Sequence, residues 1–161
     1  MSVIQDFDTV PVGFLFVLAI GLLMFLLGQT IQALSVSILI GVLSRRLKVK
    51  RRIREEETVL GGFIVLSITL FFLLANSLLQ VGLWAVVFVL VGQFEHYSDA
   101  FYHSAVNFAT LGYGDIVMEA PWRMLGALES ISGVLMLGLS TATLSTVFGK
   151  LLQLRNQKQR P

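Results

Sequence analysis

The chain has 161 residues, of which 55% are hydrophobic and 14% charged, with a mean hydropathy of +0.80 and a formal net charge of +2. Because so few charged residues cannot cover a water-facing surface, the composition excludes a soluble globular protein and indicates one integral membrane domain. Cysteine is absent, which excludes a disulfide framework, a thiolate metal site and a cysteine nucleophile.

Three charge-free windows, 9–44, 58–94 and 130–149, reach or approach the ~20 apolar residues that span hydrocarbon. They predict an all-α protein with three transmembrane helices. The first window is longer than one crossing needs, and we expect one long helix there rather than a helix bent near Gly28. The two aspartates that precede this window argue against a cleavable signal peptide.

Seven of the twelve basic residues lie between the first two windows. They are Arg45, Arg46, Lys48, Lys50, Arg51, Arg52 and Arg54. Together with the basic C-terminal tail they predict a cytoplasmic loop over 44–57, a cytoplasmic C-terminus and an N-terminus outside. The same run is compatible with binding of anionic lipid. Nucleic-acid binding is not expected, because no aromatic or glycine-rich platform accompanies the charge.

The segment 92–123 must begin and end on the outer side of the membrane. Its apolar residues have helical spacing over 98–109, with Ser98 or Asp99 as the expected N-cap. A helix of this length cannot span a bilayer, so the segment is predicted to dip in and return as a re-entrant loop.

The stretch "ATLGYGDIV" (109–117) follows this short helix. Carbonyls from four symmetric strands can replace the hydration shell of a cation, provided that successive C=O groups all point inward. Gly112 and Gly114 permit the positive φ angles that such a strand requires. Leu111 and Tyr113 are expected to point away from the axis and brace the strand against the short helix, whose C-terminal carbonyls would favour a cation.

The sequence "TLGYGD" (110–115), placed after a short helix and before one transmembrane helix, resembles the pore module of potassium channels, whose filter reads Thr-Val-Gly-Tyr-Gly-Asp. The similarity is nearest to small bacterial ion channels related to one half of a two-pore-domain channel, and it covers about 60–150. It implies a homotetramer whose permeant K⁺ is bound by carbonyls of the selectivity filter. The implied K⁺-binding residues are Thr110, Leu111, Gly112 and Tyr113, with Gly114 shaping the outer mouth.

The same resemblance places Asp115 behind the outer end of the filter, and Tyr113 favours potassium over sodium. The chain departs from the family at three positions. Leu111 replaces the usual valine, Ala109 replaces a frequent second threonine, and Val106 lies where some relatives have a glutamate that pairs with the filter aspartate. Tyr102 matches a common tryptophan position, and we expect its hydroxyl to bond Asp115 instead.

Glu129 is the only carboxylate within a predicted crossing, the third, which extends from about Met124 to Leu152, and this makes it a functional candidate. It is expected to face the back of the filter or the short helix, with Asn107 or His103 as its partner. A purely structural, snorkelling role is the alternative.

In the last helix, Gly133 and Gly138 permit bending or close packing. The residues predicted to line a cavity there form one stripe, Leu137, Thr141, Leu144 and Phe148. Phe148, near the cytoplasmic end, is the candidate hydrophobic gate. Plain packing of small residues is the alternative for each of these positions.

These patterns divide the chain into an N-terminal helix with a basic loop (1–57), a pore module (58–153) and a short basic tail (154–161). The predicted function is passive, potassium-selective conduction in a bacterial plasma membrane, without a cofactor other than the permeant ion. An enzyme is not expected, because no nucleophile–base pair appears. A weakly selective cation channel and a non-conducting membrane subunit or scaffold are the alternatives.

Overall fold

The computed structural model describes residues 12–53 and 59–157, and it contains four helices over this part of the chain. These are α1 (Val12–Ile53), α2 (Val59–Leu90), α3 (Tyr97–Phe108) and α4 (Arg123–Gln157). Three of them are long and apolar enough to cross a membrane, over Gly13–Arg45, Leu60–Leu90 and Arg123–Gln153. The prediction of an all-α membrane protein with three transmembrane helices is therefore confirmed.

Helix α1 is a single helix of 42 residues, as expected. It also continues through most of the basic run, so the prediction that 44–57 form a loop is wrong for residues 44–53. Arginine and lysine are good helix formers, and neither glycine nor proline interrupts 42–60. Residues 54–58, which include Arg54, lie outside the described residues, as do 1–11 and 158–161.

Helix α3 lies one residue earlier than predicted. Its N-cap is His96, with φ −111° and ψ 134° and no side-chain capping bond, so the prediction of Ser98 or Asp99 as N-cap is wrong. Asp99 instead lies in the first turn, where the positive end of the helix dipole favours a carboxylate. At 12 residues, or about 18 Å, the helix is too short to span hydrocarbon.

The described chain forms two compact units, and the first comprises 12–29 and 80–134. Its core contains Trp84, Phe88 and Leu125, each almost fully buried. In this unit α1 packs closely on α4. The closeness is evident at Gly21, where a Cβ atom would lie only 3.2 Å from Leu125 Cδ2. Gly28 of α1 similarly lies against the amide of Gln80 in α2.

The second unit comprises 30–79 and 135–157. Polar contacts join its helices: Asn76 of α2 donates a hydrogen bond to Gln32 of α1, and Ser35 lies 3.5 Å from Asn76 Oδ1. Lys150 of α4 donates to Ser44 of α1 at 3.0 Å. Such interhelical hydrogen bonds hold helices together where the hydrophobic effect supplies no driving force.

Candidate functional site

Residues 110–114, the predicted filter and hereafter the filter strand, leave the end of α3 through a tight hydrogen-bonded turn. The Ala109 amide donates to Ala105 O at 3.0 Å, the Thr110 amide to Asn107 O at 2.8 Å and the Leu111 amide to Val106 O at 2.9 Å. These carbonyls of the last turn of α3, which the sequence predicts to point toward a cation, therefore hold the start of the strand in place. Their bonds satisfy acceptors that a helix end otherwise leaves unpaired.

The backbone of the filter strand alternates in handedness. Thr110, Gly112 and Gly114 have φ angles of 59°, 58° and 73°, whereas Leu111 and Tyr113 between them do not have positive φ. In an ordinary strand successive carbonyls point to opposite sides, but a left-handed conformation at every second residue turns alternate peptide groups over. The carbonyls can then share one side, which is the arrangement that binds a dehydrated cation.

Thr110 shows that this conformation is not simply a consequence of glycine. It is the only non-glycine residue with positive φ among the described residues, and a left-handed L-residue costs about 1–2 kcal/mol. A Cβ at Gly112 or Gly114 would meet nothing within 4 Å, so these glycines are required by the backbone conformation and not by lack of space.

Leu111 and Tyr113 do not brace the strand against α3 within the single chain. Their exposed fractions are 55% and 65%, which contradicts the expected packing on the short helix.

The bond between Tyr102 and Asp115 is present. The Tyr102 hydroxyl donates to Asp115 Oδ2 at 2.7 Å, and the Ile116 amide donates to Oδ1 at 3.0 Å. The bond to Tyr102 is the main reason why the pKa of Asp115 is lowered and the pKa of Tyr102 is raised. The hydroxyl thus ties the outer end of the filter strand to α3. Val106, where relatives have a glutamate, is 6% exposed and makes no comparable link.

His103 makes a second link between α3 and the chain beyond the filter. Its Nδ1 lies 2.9 Å from Ile116 O, and its Nε2 lies 2.8 Å from Asn107 Nδ2. Because a carbonyl only accepts, Nδ1 carries the hydrogen and Nε2 accepts from the Asn107 amide, which is the neutral imidazole. The ring packs on Phe88 and Phe94 at 5.6 and 5.1 Å, and burial lowers the pKa of His103. The sequence suggests His103 only as a candidate partner of Glu129, and it does not predict the bond to Ile116 O.

Helix α4 packs along the C-terminal half of α3. Ser130 donates to Asn107 O at 2.9 Å, and a Cβ on Gly126 would lie 2.9 Å from Asn107 Nδ2. A Cβ on Gly133 would overlap the Phe108 carbonyl and lie 3.2 Å from Phe108 Cα. Of the two roles open to Gly133, the structure therefore supports close packing, and α4 continues through this position without a break.

Glu129 lies at the centre of this contact and is completely buried. Its Oε1 is hydrogen-bonded to Ser104 of α3, and Ser104 Oγ lies 2.8 Å from Val81 O of α2. Glu129 thus faces the short helix as expected. Its direct hydrogen-bond partner is Ser104, and of the two expected partners only Asn107 also interacts with it. The Asn107 amide lies near it and is bonded to His103 Nε2. Nothing in the sequence distinguishes Ser104 from other small residues of α3 as this partner.

The predicted cavity-lining residues lie in the second unit. Leu137 and Phe148 are 69% and 50% exposed, Thr141 is exposed, and Leu144 is half-buried. The Thr141 hydroxyl donates a hydrogen bond to Leu137 O of its own helix at 2.9 Å, and this bond does not join α4 to another helix. Most of this face of α4 is therefore exposed in the single chain, and a Cβ built on Gly138 would meet nothing within 4 Å.

An open cavity of about 470 Å³ lies beside the filter strand in the first unit, between α3, the chain after the filter and α4. It is lined by His103, Asn107, Val117, Met118, Arg123, Gly126, Ala127 and Ser130. Arg123 Nε donates to Met118 O at 2.9 Å. Among the described residues, no cluster of three or more histidine, aspartate or glutamate side chains could hold a metal ion.

Comparison with known proteins gives one family match. Residues 77–150 match the ion channel family, and this segment contains the second half of α2, all of α3, the filter strand and α4 to Lys150. No curated protein and no solved structure gave a match to the chain. The matched helices and loop are those that form the site described above. Over residues 77–150 the chain is similar to the ion channel family, and this match supports a pore domain of the potassium channel type.

Proposed function

We propose that the protein is a potassium-selective channel that conducts K⁺ passively through the filter strand Thr110–Gly114. The observation that carries this proposal is the alternation of φ at Thr110, Gly112 and Gly114. An oxygen-only site of uncharged carbonyls suits a hard monovalent cation, which gives up its hydration shell for an equivalent set of ligands.

The hydrogen bonds that hold the filter strand in place favour selectivity for potassium over sodium. Asp115 and Ile116, immediately beyond it, are tied to α3 by Tyr102 and His103 through bonds of 2.7 and 2.9 Å. A filter held at both ends keeps its carbonyls in one arrangement, which helps it to discriminate between ions of different size. The rival function, a weakly selective cation channel, would fit a strand that is free at its outer end.

The exposed filter supports a homotetramer. One chain contributes one row of carbonyls, and a complete coordination shell needs a closed ring of such rows. The exposed side chains of Leu111 and Tyr113, and the exposed stripe of α4 at Leu137 and Phe148, would be covered by neighbouring copies. We propose that this stripe lines the aqueous cavity and that Phe148 acts as its gate.

The orientation follows from the charge distribution. We propose that the N-terminus faces outside and that the basic end of α1 and the C-terminus are cytoplasmic, in a bacterial plasma membrane. Arg45 is exposed at the end of the first span, and the helical backbone continues through the basic residues that follow. This basic end of α1 would bind anionic lipid headgroups.

The test is potassium flux into liposomes that contain the purified protein, with and without barium. A barium-sensitive uptake of K⁺ is expected, and Gly112→Ala should abolish it because alanine resists positive φ. Gly138→Ala is the matched control, since its Cβ would meet no atom of the chain within 4 Å. Absence of flux from correctly assembled wild-type protein would favour the non-conducting subunit instead.

A further inference from the structure

In the buried contact of Glu129, one hydroxyl group, that of Ser104, is hydrogen-bonded to two other oxygen atoms. Val81 O, Ser104 Oγ and Glu129 Oε1 form two hydrogen-bonded pairs that share Ser104 Oγ. A backbone carbonyl only accepts, and a serine hydroxyl carries a single hydrogen. Two bonds therefore require two hydrogens, of which Ser104 supplies one.

We propose that Glu129 is a neutral carboxylic acid that donates to Ser104 Oγ, while the Ser104 hydroxyl donates to Val81 O. The three residues then form a relay that joins α4, α3 and α2 behind the filter strand. Glu129 is a positioning residue in this scheme: it acts on the filter through α3 and does not touch the permeant ion. The positioning role rests on the proposed channel function, whereas the neutral state of the carboxyl does not.

The surroundings of Glu129 fit an uncharged acid. The side chain has no exposed surface, and its buried Oε2 makes no hydrogen bond of good geometry. The neighbouring Asn107 amide already donates to His103 Nε2. An unpartnered carbonyl oxygen of a neutral acid is tolerated far better than an unpartnered carboxylate oxygen. No described lysine or arginine forms an ion pair with Glu129, and His103, a titratable side chain of α3, is bonded to Ile116 O and Asn107.

The relay lies where it can control the filter. Ser104 is one turn before Phe108, whose carbonyl packs on Gly133, and Asn107 O accepts from Ser130. The end of α3 in turn holds the amides of Thr110 and Leu111. A change in the relay would therefore be transmitted to the first residues of the filter strand through one helical turn.

The protonation state can be measured without conduction, by infrared difference spectroscopy of the reconstituted protein. The difference between wild type and Glu129→Gln should contain the C=O stretch of a protonated carboxylic acid, and this band should persist at about pH 8, where exposed carboxylates are ionised. Glu119→Gln is the control, because Glu119 is exposed and its removal should leave the band in place. A spectrum at this pH that lacks the band, or keeps it in Glu129→Gln, would overturn the proposal.

The positioning role is tested by comparing variants that keep or lose the donated hydrogen. Glu129→Gln retains a donor of similar shape and should keep K⁺ flux near the wild-type level. Glu129→Leu leaves Ser104 without its donor, and flux should fall about tenfold at equal amounts of assembled protein. Equal flux in both variants would refute the positioning role, whereas a wild-type protein without flux would count against the proposed function alone.

Discussion

At the scale of single residues, the hydroxyl of Tyr102 is the group of α3 that holds Asp115. A neutral phenol does so without a second acid beside the filter strand. The bond to Asp115 is short, at 2.7 Å, whereas the hydroxyl of Tyr97 on the same helix lies 3.5 Å from Gly82 O. Only the first of these two hydroxyls should therefore matter for the filter.

Tyr102→Phe should accelerate filter inactivation and lower the stability of the filter, since it removes one charge-assisted bond from Asp115. The measurement is the decay of K⁺ current after activation, compared at equal protein density. Tyr97→Phe is the control and should behave like wild type. Unchanged decay in Tyr102→Phe would show that the bond does not support the filter.

His103 makes the outer part of the protein sensitive to acid. Its pKa is lowered by burial, so the folded protein binds a proton less readily than the unfolded chain. The stability that depends on the neutral ring is complete above the ordinary histidine pKa and is lost as the pH falls below it. A proton on Nε2 would also oppose the Asn107 donor.

We therefore expect the melting temperature of the reconstituted protein to fall between about pH 7 and pH 5, and His103→Asn to reduce this dependence. Circular dichroism melts at several pH values provide the measurement. His96→Gln is the control, because His96 is exposed and outside the bonded network. If the pH dependence is as large in His103→Asn as in wild type, another group is responsible.

At the scale of helices, most boundaries could be predicted because apolar windows and their flanking charges determine them. The N-cap of α3 could not, since Ser98 and Asp99 are both good capping residues and the chain enters the helix through His96 instead. The full extent of α1 is not predicted by its charge pattern, because a basic run is typical of a cytoplasmic loop even though arginine and lysine favour helix.

The contacts of α4 could be predicted only in part. Burial of Glu129 and its orientation toward α3 follow from its position in an apolar window, but Ser104 as partner depends on how three helices meet. Likewise, positive φ at the two glycines follows from residue type, whereas positive φ at Thr110 depends on the alternation imposed by the whole strand. Sequence also leaves bending and close packing of Gly133 equally open.

Gly133→Ala separates these two roles. If Gly133 allows close packing, the added methyl group overlaps the Phe108 carbonyl, and the end of α3 must move at a cost of about 1–3 kcal/mol. Denaturant titration of the reconstituted protein should show this loss, together with reduced flux. Gly138→Ala should cause neither, because its Cβ meets nothing in the chain. Similar, mild effects of the two substitutions would instead favour bending.

The amide pair in the second unit holds α1 to α2. Gln32 is fully buried and Asn76 is 6% exposed, so loss of either side chain leaves a buried partner unsatisfied. Gln32→Leu and Asn76→Leu should each destabilise the protein by about 1 kcal/mol, and the double variant should lose less than the sum.

Reversible unfolding in detergent gives the three free energies of unfolding. Thr69→Val is the matched control, because Thr69 is equally buried but donates only to Val65 O of its own helix. Additive losses would show that the two amides do not stabilise the contact between α1 and α2 together.

At the scale of the whole molecule, the boundary of the family match does not coincide with the boundaries of the two compact units. The match begins at residue 77, so α1 and the first half of α2 lie outside it. Yet α1 is bonded to α2 through Asn76 and to α4 through Lys150 within the second unit. Helix α1 is therefore an integral part of the protein's structure and not an appended anchor.

The proposed function depends above all on selection of potassium by the filter strand, with its alternating backbone. The most direct test is the reversal potential of the purified protein in a planar bilayer with potassium on one side and sodium on the other. We expect a reversal potential close to the potassium equilibrium potential. A reversal potential near zero would contradict potassium selectivity and identify the protein as a weakly selective cation channel.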